Sequence, residues 1–152
     1  MTTPMKRPPS KKTDDHPVPP GYSGTPLARK LGISAGSRLL LVDAPDELAA
    51  WLAPIPDDVR FGKRASEAID IAHVFVTRRS DLLKRLTDLR GKLRPDAPLW
   101  ISWPKKAANV PTDITEDTIR AVALPLGFVD IKVCAMSPVW SGLKLVVRKE
   151  LR

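Results

Sequence analysis

Basic, hydroxyl and aromatic side chains lie together in two short segments of the chain, TRR and SWPKK, each of which follows an apolar run. The residues are Thr77, Arg78 and Arg79 in the first segment and Ser102, Trp103, Lys105 and Lys106 in the second. Guanidinium and ammonium groups bind phosphate or carboxylate oxygens, and an indole stacks on a planar base. If the two segments meet in space, they predict a site for an anionic ligand such as a nucleotide. The alternative is that these cations are solvated loop charges, as surface charges commonly are.

Two further positions extend this predicted site. Asp43 ends a different apolar run, and that position favours a functional role. Asp46 and Glu47 are explained by the start of a helix, where the helix dipole favours acidic side chains. Tyr22 and Ser23 belong to a glycine-bounded turn, GYSG, which we expect to fold back beside the basic segments as part of the site wall. No catalytic residue and no cofactor is predicted from these groups.

The histidines and the cysteine do not point to catalysis. His73 lies within an apolar run and is expected to be a hydrogen-bonded core residue. The sequence places no base beside Cys134, the only cysteine, so the evidence for a nucleophile is weak. Since two histidines and one cysteine cannot supply a zinc-type ligand set, no metal site is predicted.

Strand signals recur along the chain. RLLLV at residues 38–42 and IDIAHVFV at residues 69–76 are short apolar runs typical of strands buried on both faces, and a weaker strand lies near residues 58–61. LWISW follows as a further strand. FVDIKVCAMS and SGLKLVVRK, separated by a few residues, predict a closing antiparallel hairpin.

Helix starts between these strands are marked by capping residues. Thr25 before Pro26 is a typical N-cap, and Ser80 has the same role before a leucine-rich helix. Asp113 and Glu116 have the spacing of a capping box for a later helix.

This alternation predicts a doubly wound α/β fold. We expect a mostly parallel, Rossmann-like sheet of about six strands, with helices on both faces and the closing hairpin as an antiparallel edge. In such folds ligands bind outside the carboxyl ends of the strands. Asp43 and the two basic segments all follow predicted strands, so they are expected at that edge.

Length and composition indicate how many domains the chain forms and whether it spans a membrane. The chain has 152 residues, a net charge of +8 and 43% hydrophobic residues, and no apolar run is long enough for a membrane span. Residues 1–20 are basic and proline-rich and predict a disordered tail, which leaves one α/β domain over residues 21–152. Because no secretory apolar segment follows the basic start, we expect a cytoplasmic protein.

The order of elements over residues 37–149 resembles that of class I S-adenosylmethionine-dependent methyltransferases, and the resemblance implies their fold. Two features depart from those enzymes. Those enzymes place glycines after the first strand, whereas this chain has VDAPDEL there. They place a carboxylate after the second strand, whereas this chain has VRFGKR there. Arg60, Lys63 and Arg64 cannot accept hydrogen bonds from ribose hydroxyls.

A second resemblance is carried by motifs. GYSGTPLARKLG, LWISWPKK, PTDITEDTIR and WSGLKLVVRK are similar to segments of an uncharacterised bacterial family, a domain of unknown function, over residues 21–149. This resemblance implies a shared fold and supplies no catalytic residues.

Three functions remain open from the sequence. The first is a non-catalytic or regulatory α/β domain that binds an anionic small molecule or a protein partner at the carboxyl ends of the strands. The second is a divergent methyltransferase-like enzyme. The third is a nucleic-acid binder that uses the basic tail and the basic loops. The oligomeric state is not predicted.

Overall fold

The computed structural model describes residues 25–152, in which helices flank both faces of a six-stranded sheet. The predicted tail at residues 1–20 and the turn that carries Tyr22 and Ser23 lie outside the described residues. The strands are β1 (Arg38–Val42), β2 (Arg60–Gly62), β3 (Ile71–Phe75), β4 (Leu99–Pro104), β5 (Phe128–Ala135) and β6 (Trp140–Val147). The helices are α1 (Leu27–Lys30), α2 (Leu48–Leu52), α3 (Arg79–Lys92) and α4 (Glu116–Ala123).

The strands lie in the order β2-β1-β3-β4-β6-β5. Strand β1 is parallel to β2 and β3, and β3 is parallel to β4, whereas β6 is antiparallel to both β4 and β5. The predicted doubly wound, mostly parallel fold with a closing antiparallel hairpin is therefore confirmed. The hairpin contributes only β5 to the edge of the sheet, because β6 lies between β4 and β5.

Separate apolar clusters attach the helices to the two faces of the sheet. On one face α3 and α4 bury Leu86 and Ile119 against the central strands. On the other face α1 and α2 bury Leu31 and Leu52 around Trp100, whose indole N–H donates to the Leu31 carbonyl at 3.0 Å. Each buried leucine or isoleucine contributes about 1.5 to 3 kcal/mol. None of the helices within residues 25–152 is long and apolar enough to cross a membrane.

Two helices begin differently from the prediction. In α1 the N-cap is Pro26 rather than Thr25, and no side chain caps the helix. In α3 the N-cap is Arg78 and the helix begins at Arg79, so Ser80 lies inside its first turn. Thr25 and Ser80 are residue types that favour the N-cap position, but neither is the N-cap here, because each helix begins at a different residue.

The capping box of α4 also lies elsewhere than predicted. Thr115 is the N-cap, and its hydroxyl accepts a hydrogen bond from the Thr118 N–H at 3.2 Å, while the Thr118 hydroxyl interacts with the Thr115 backbone N–H. The predicted pair was Asp113 with Glu116. Asp113 lies before the helix and binds a different element, which is described below.

Gly127 connects the end of the α4 segment to β5 with φ at +97°, a backbone conformation that strains residues with a side chain. An added Cβ would lie 2.9 Å from Leu151 Cδ1. We therefore expect Gly127→Ala to lower the free energy of unfolding, measured with urea, by at least about 1 kcal/mol.

The matched control for this prediction is Gly91→Ala in α3, where an added Cβ would have no atom of another segment within 4 Å. There alanine should raise the free energy of unfolding by roughly 0.5 kcal/mol, since glycine lowers helix stability. Equal effects of the two substitutions would contradict the strain at Gly127.

Candidate functional site

The loop after β3 and the segment after β4 are in direct contact. The Thr77 carbonyl accepts hydrogen bonds from the Thr112 hydroxyl at 2.7 Å and from the Asp113 N–H at 3.3 Å. Because β3 and β4 are parallel neighbours, the segments that follow them leave the sheet side by side. The two basic segments therefore begin at neighbouring strand ends, while the contact itself is made by Thr112 and Asp113, which follow the second segment.

A carboxylate of the chain itself binds the N-terminus of α3. The Arg79 N–H donates to Asp113 Oδ1 at 2.7 Å, a contact between residues that are 34 positions apart. A helix N-terminus attracts anions because its first N–H groups have no partner within the helix. Asp113 takes the place that an external anion would need, and it replaces the cap expected from Ser80.

The four cations of the predicted site follow β3 and β4. Arg78, Arg79 and Lys106 are exposed, and Lys105 is half-buried. Within the described range none of them forms an ion pair. Of these four cations, Lys106 lines a cavity, whereas Arg78, Arg79 and Lys105 line none of the three cavities considered within residues 25–152.

A cavity of about 640 Å³ opens between the end of β4 and the start of α4, and we call it the β4–α4 cavity. Its lining consists of Trp103, Pro104, Lys106, Thr112, Asp113, Ile114, Thr115, Glu116, Asp117 and Arg120. Three carboxylates in this lining outnumber two cations. The cavity that contains Trp103 is therefore net negative, and this charge disfavours an anionic ligand.

The arginine of this cavity, Arg120, is already paired with carboxylates of the chain. Arg120 forms ion pairs with Glu116 at 2.8 Å, Asp117 at 3.1 Å and Asp130 at 2.9 Å. The hydrogen bonds that Arg120 donates to Asp130 and then to Glu116 raise the pKa of Arg120, and the bond from Arg120 lowers the pKa of Asp130. The guanidinium joins α4 to β5 and has little capacity left for a ligand.

Ser102 lies inside the core and not in a ligand cavity. It is fully buried, and its Oγ lies 2.7 Å from His73 Nε2. Its hydroxyl was predicted to contact a ligand, but in this structure it pairs with a neighbouring strand. The expectation that His73 is a hydrogen-bonded core residue is confirmed. Burial lowers the pKa of His73 to about 3, so the imidazole is neutral.

Asp43 lies apart from Trp103, at the end of β1, with φ at +57°. Its Oδ2 accepts a hydrogen bond from Arg85 Nη2 of α3 at 3.0 Å. No described cavity contains Asp43, Arg78 and Trp103 together. The predicted site is thus divided between two places on the carboxyl edge, and its members Tyr22 and Ser23 lie outside the described residues.

Asp43 lines a second cavity of about 410 Å³, which we call the β1–α3 cavity. Its lining consists of Leu40, Leu41, Val42, Asp43, Lys63, Arg64, Ala65, Arg85, Asp88, Leu89 and Lys92. Apolar side chains of β1 and α3 lie beside four cations and two carboxylates. This cavity is net positive, in contrast to the β4–α4 cavity.

Lys63 and Arg64 are the functional candidates that the sequence did not identify. Both are exposed, follow β2, and form no ion pair or side-chain hydrogen bond within residues 25–152. In the sequence they were notable only as residues unable to bind ribose. The parallel pairing of β1 with β2, which puts them beside Asp43, is the signal that could have identified them.

The described residues contain no group of three His, Cys, Asp or Glu side chains that could hold a metal ion. Cys134 is buried, and burial raises the pKa of its thiol.

Several solved structures with a similar fold are methyltransferases. No protein-family model and no curated protein sequence matches the chain. A protein from Sulfolobus solfataricus assigned to the type 11 methyltransferases is similar over 81% of this chain and 90% of its own, with 13% identity and a TM-score of 0.59. An S-adenosylmethionine-dependent methyltransferase from Aquifex aeolicus is similar over 80% and 87%, with 13% identity and a TM-score of 0.55.

Fibrillarin from Aeropyrum pernix, in a structure with natively bound S-adenosylmethionine, is similar over 75% of this chain and 68% of its own. Its identity is 12% and its TM-score 0.52. At such identities the likeness establishes a methyltransferase-like fold for this chain and leaves its activity open.

The buried His73 predicts a pH dependence of stability. Its pKa is about 3 in the folded protein, below the usual value of 6.5, so the unfolded state binds the proton first as the pH falls. Lowering the pH from 7 to 5 should therefore decrease the free energy of unfolding by about 2 kcal/mol. Urea titrations at the two pH values measure this change, and in His73→Gln it should largely vanish. An unchanged pH dependence in that variant would exclude His73 as its origin.

The carboxylate at the start of α3 predicts a second stability effect. Asp113→Ala should lower the free energy of unfolding by about 1 kcal/mol, because the Arg79 N–H loses its acceptor. Asp113→Asn retains an acceptor oxygen and should lose less. Thermal and urea unfolding measure both variants, and Asp81→Ala, an exposed first-turn carboxylate of the same helix, serves as the matched control. A loss of the same size in Asp81→Ala would contradict the capping role of Asp113.

Proposed function

We propose that this protein is a methyltransferase-fold binding domain that holds an anionic small molecule in the β1–α3 cavity. The observation that supports this proposal is the pair of cations Lys63 and Arg64 at the end of β2, which have no carboxylate partner within the described range. They lie beside the carboxyl end of β1, where ligands of doubly wound folds bind.

The charges of the cavity favour an anion over a neutral or cationic ligand. Arg85 pairs with Asp43 at 3.0 Å and Lys92 with Asp88 at 2.8 Å, so these four charges balance within the lining. Lys63 and Arg64 are left in excess. Charge-assisted hydrogen bonds from such groups to phosphate or carboxylate are among the stronger polar contacts in proteins.

The rest of the lining favours a ligand with a planar or apolar body. Leu40, Val42 and Leu89 provide apolar surface beside the cations. Asp43 uses Oδ2 for Arg85, and its other carboxylate oxygen accepts no hydrogen bond from the described residues, so it can accept one from a ligand hydroxyl. A phosphate, a hydroxyl and an apolar ring together describe a nucleoside phosphate or a molecule of similar chemistry.

A second candidate function is a divergent methyltransferase, and the fold of the similar solved structures favours it. The residues of the β1–α3 cavity do not fit S-adenosylmethionine. The segment after β1 is Asp43, Ala44 and Pro45, with no glycine for close approach of a cofactor, and β2 is followed by cations instead of a carboxylate. Because the cofactor carries a sulfonium charge, a net positive lining also disfavours it.

Isothermal titration calorimetry of the full chain with AMP, ADP and ATP, with S-adenosylmethionine and S-adenosylhomocysteine as comparisons, tests the proposal. We expect saturable binding of a nucleoside phosphate, and a rise in melting temperature with its concentration, because a ligand that binds the native state stabilises it. Lys63→Ala/Arg64→Ala should weaken this binding at least about tenfold, since a hydrogen bond to a charged group contributes about 1.5 to 3 kcal/mol.

The matched control is Lys105→Ala/Lys106→Ala, which removes the same charge from the other basic segment of the carboxyl edge. It should bind the nucleotide like the unmodified protein. If this control loses binding and the Lys63/Arg64 variant retains it, the ligand lies at the β3 and β4 ends instead. Binding of S-adenosylmethionine without binding of any nucleotide would favour the methyltransferase.

A further inference from the structure

Strand β2 forms an open edge of the sheet at which an aromatic side chain is exposed. Among the strands of residues 25–152, β2 lies at the end of the sheet and pairs only with β1. Phe61, in the middle of β2, is 55% exposed. An unpaired edge strand offers backbone hydrogen-bonding groups to another extended chain.

The backbone of Phe61 faces this open edge. The Arg60 N–H donates to the Ser37 carbonyl, on the β1 side, at 2.9 Å. Backbone groups of successive residues alternate between the two sides of a strand. The N–H and carbonyl of Phe61 therefore point away from β1, toward any chain that would pair with β2.

An apolar groove lies beside Phe61 on the face of the sheet that α2 covers. It has a volume of about 260 Å³, and we call it the β2 groove. Its lining consists of Leu41, Leu48, Ala49, Leu52, Ala53, Ile55 and Phe61. None of these side chains is polar, so the groove suits an aliphatic or aromatic side chain.

The opposite face of β2 is basic. Arg60 lies directly beside Arg38 in the β1–β2 register, and both are exposed. Asp70 binds the Arg38 backbone N–H at 2.8 Å and Arg94 at 2.9 Å, while Arg60 has no ion pair within the described range. Like charges side by side on neighbouring strands destabilise the pair, and a bound carboxylate relieves that repulsion.

We propose that the β2 edge binds an extended segment of another protein in which apolar and acidic side chains alternate. Successive side chains of a strand point to opposite faces of the sheet. An added strand would therefore send its apolar side chains into the β2 groove and its carboxylates toward Arg60 and Arg38. This is recognition by strand addition, in which backbone pairing supplies affinity and alternate pockets supply specificity.

Charge argues against two other occupants of this edge. The N-terminal part of the sequence carries Lys6, Arg7, Lys11 and Lys12 against Asp14 and Asp15, so it is basic like the edge itself. A second copy of the chain has the same basic β2 edge and a net charge of +8. An acidic partner is the occupant that complements Arg38 and Arg60.

Fluorescence polarisation with a labelled heptapeptide of alternating glutamate and valine tests this proposal on the full chain. We expect saturable binding, which is lost when lysine replaces each glutamate or serine replaces each valine. Of two peptides N-methylated on alternate backbone amides, one should bind and the other should not, because only one edge of the added strand pairs with β2.

Phe61→Ser and Arg60→Glu should each weaken binding of the glutamate–valine peptide at least tenfold. Leu83→Ser, on α3 and 45% exposed, and Lys149→Glu are the matched controls and should bind normally. If Phe61→Ser does not fold by circular dichroism, Ile55→Ser, at a residue 40% exposed, replaces it. Phe61 and Arg60 do not line the β1–α3 cavity, so nucleotide binding should be unchanged in both variants.

Three results would overturn the proposal. The lysine peptide binding as tightly as the glutamate peptide would exclude charge recognition. Normal binding by both Phe61→Ser and Arg60→Glu would place the peptide elsewhere. A wild-type dimer in light scattering that becomes a monomer in Phe61→Ser would make a second copy the occupant of the edge.

Discussion

Strands β3 and β4 are buried along their whole length, and this double-sided burial constrains the rest of the molecule. An unpaired polar group inside such a layer costs about 1 to 3 kcal/mol. His73 and Ser102 meet this constraint by pairing with each other at 2.7 Å between the two strands. The imidazole stacks on Phe75 with ring centroids 4.4 Å apart, which leaves it enclosed and neutral. Polar chemistry is consequently confined to the ends and the outer strands of the sheet.

Carboxylates of the chain neutralise part of the basic charge at the carboxyl edge. Asp113 binds the start of α3, and Glu116, Asp117 and Asp130 surround Arg120. On the side of β1 and β2, Asp43 pairs with Arg85, while Lys63 and Arg64 remain without partners in the described range. The distribution of charge therefore differs between the two cavities of the same edge, although their local sequences are both rich in lysine and arginine. This difference is why the β1–α3 cavity is the place proposed for an anion.

The fold of this protein favours a methyltransferase, whereas the side chains at its strand ends do not fit the cofactor of those enzymes. The fold is shared with methyltransferases, but the segment directly after β1 offers their cofactor no glycine, and β2 is followed by Lys63 and Arg64 instead of a carboxylate. A fold provides positions at the strand ends, and the side chains at those positions decide what can bind there. The β2 edge extends the same reasoning, since Phe61 is exposed and Arg60 has no ion pair where the sheet formed by residues 25–152 ends.

The sequence by itself determined the alternation of strands and helices, and with it the doubly wound sheet. Apolar runs such as RLLLV and IDIAHVFV can be recognised without a structure because strands of a covered parallel sheet are mostly apolar. It also determined the core role of His73, which lies between the apolar residues Ala72 and Val74. The position of β6 between β4 and β5 could not be predicted from the sequence. A hairpin signal shows that two strands pair with each other, but it does not show which of them also pairs with the rest of the sheet.

Only the tertiary structure decided how the basic side chains are distributed. Ser102 became a buried partner of His73, and Asp113 became the cap of a helix that begins 34 residues earlier, because each contact joins segments far apart in the chain. The same holds for Lys63 and Arg64, which acquire a place in a cavity through the pairing of β1 with β2. Residue types indicate which chemistry is available, but which charges are neutralised depends on neighbours that local spacing does not encode.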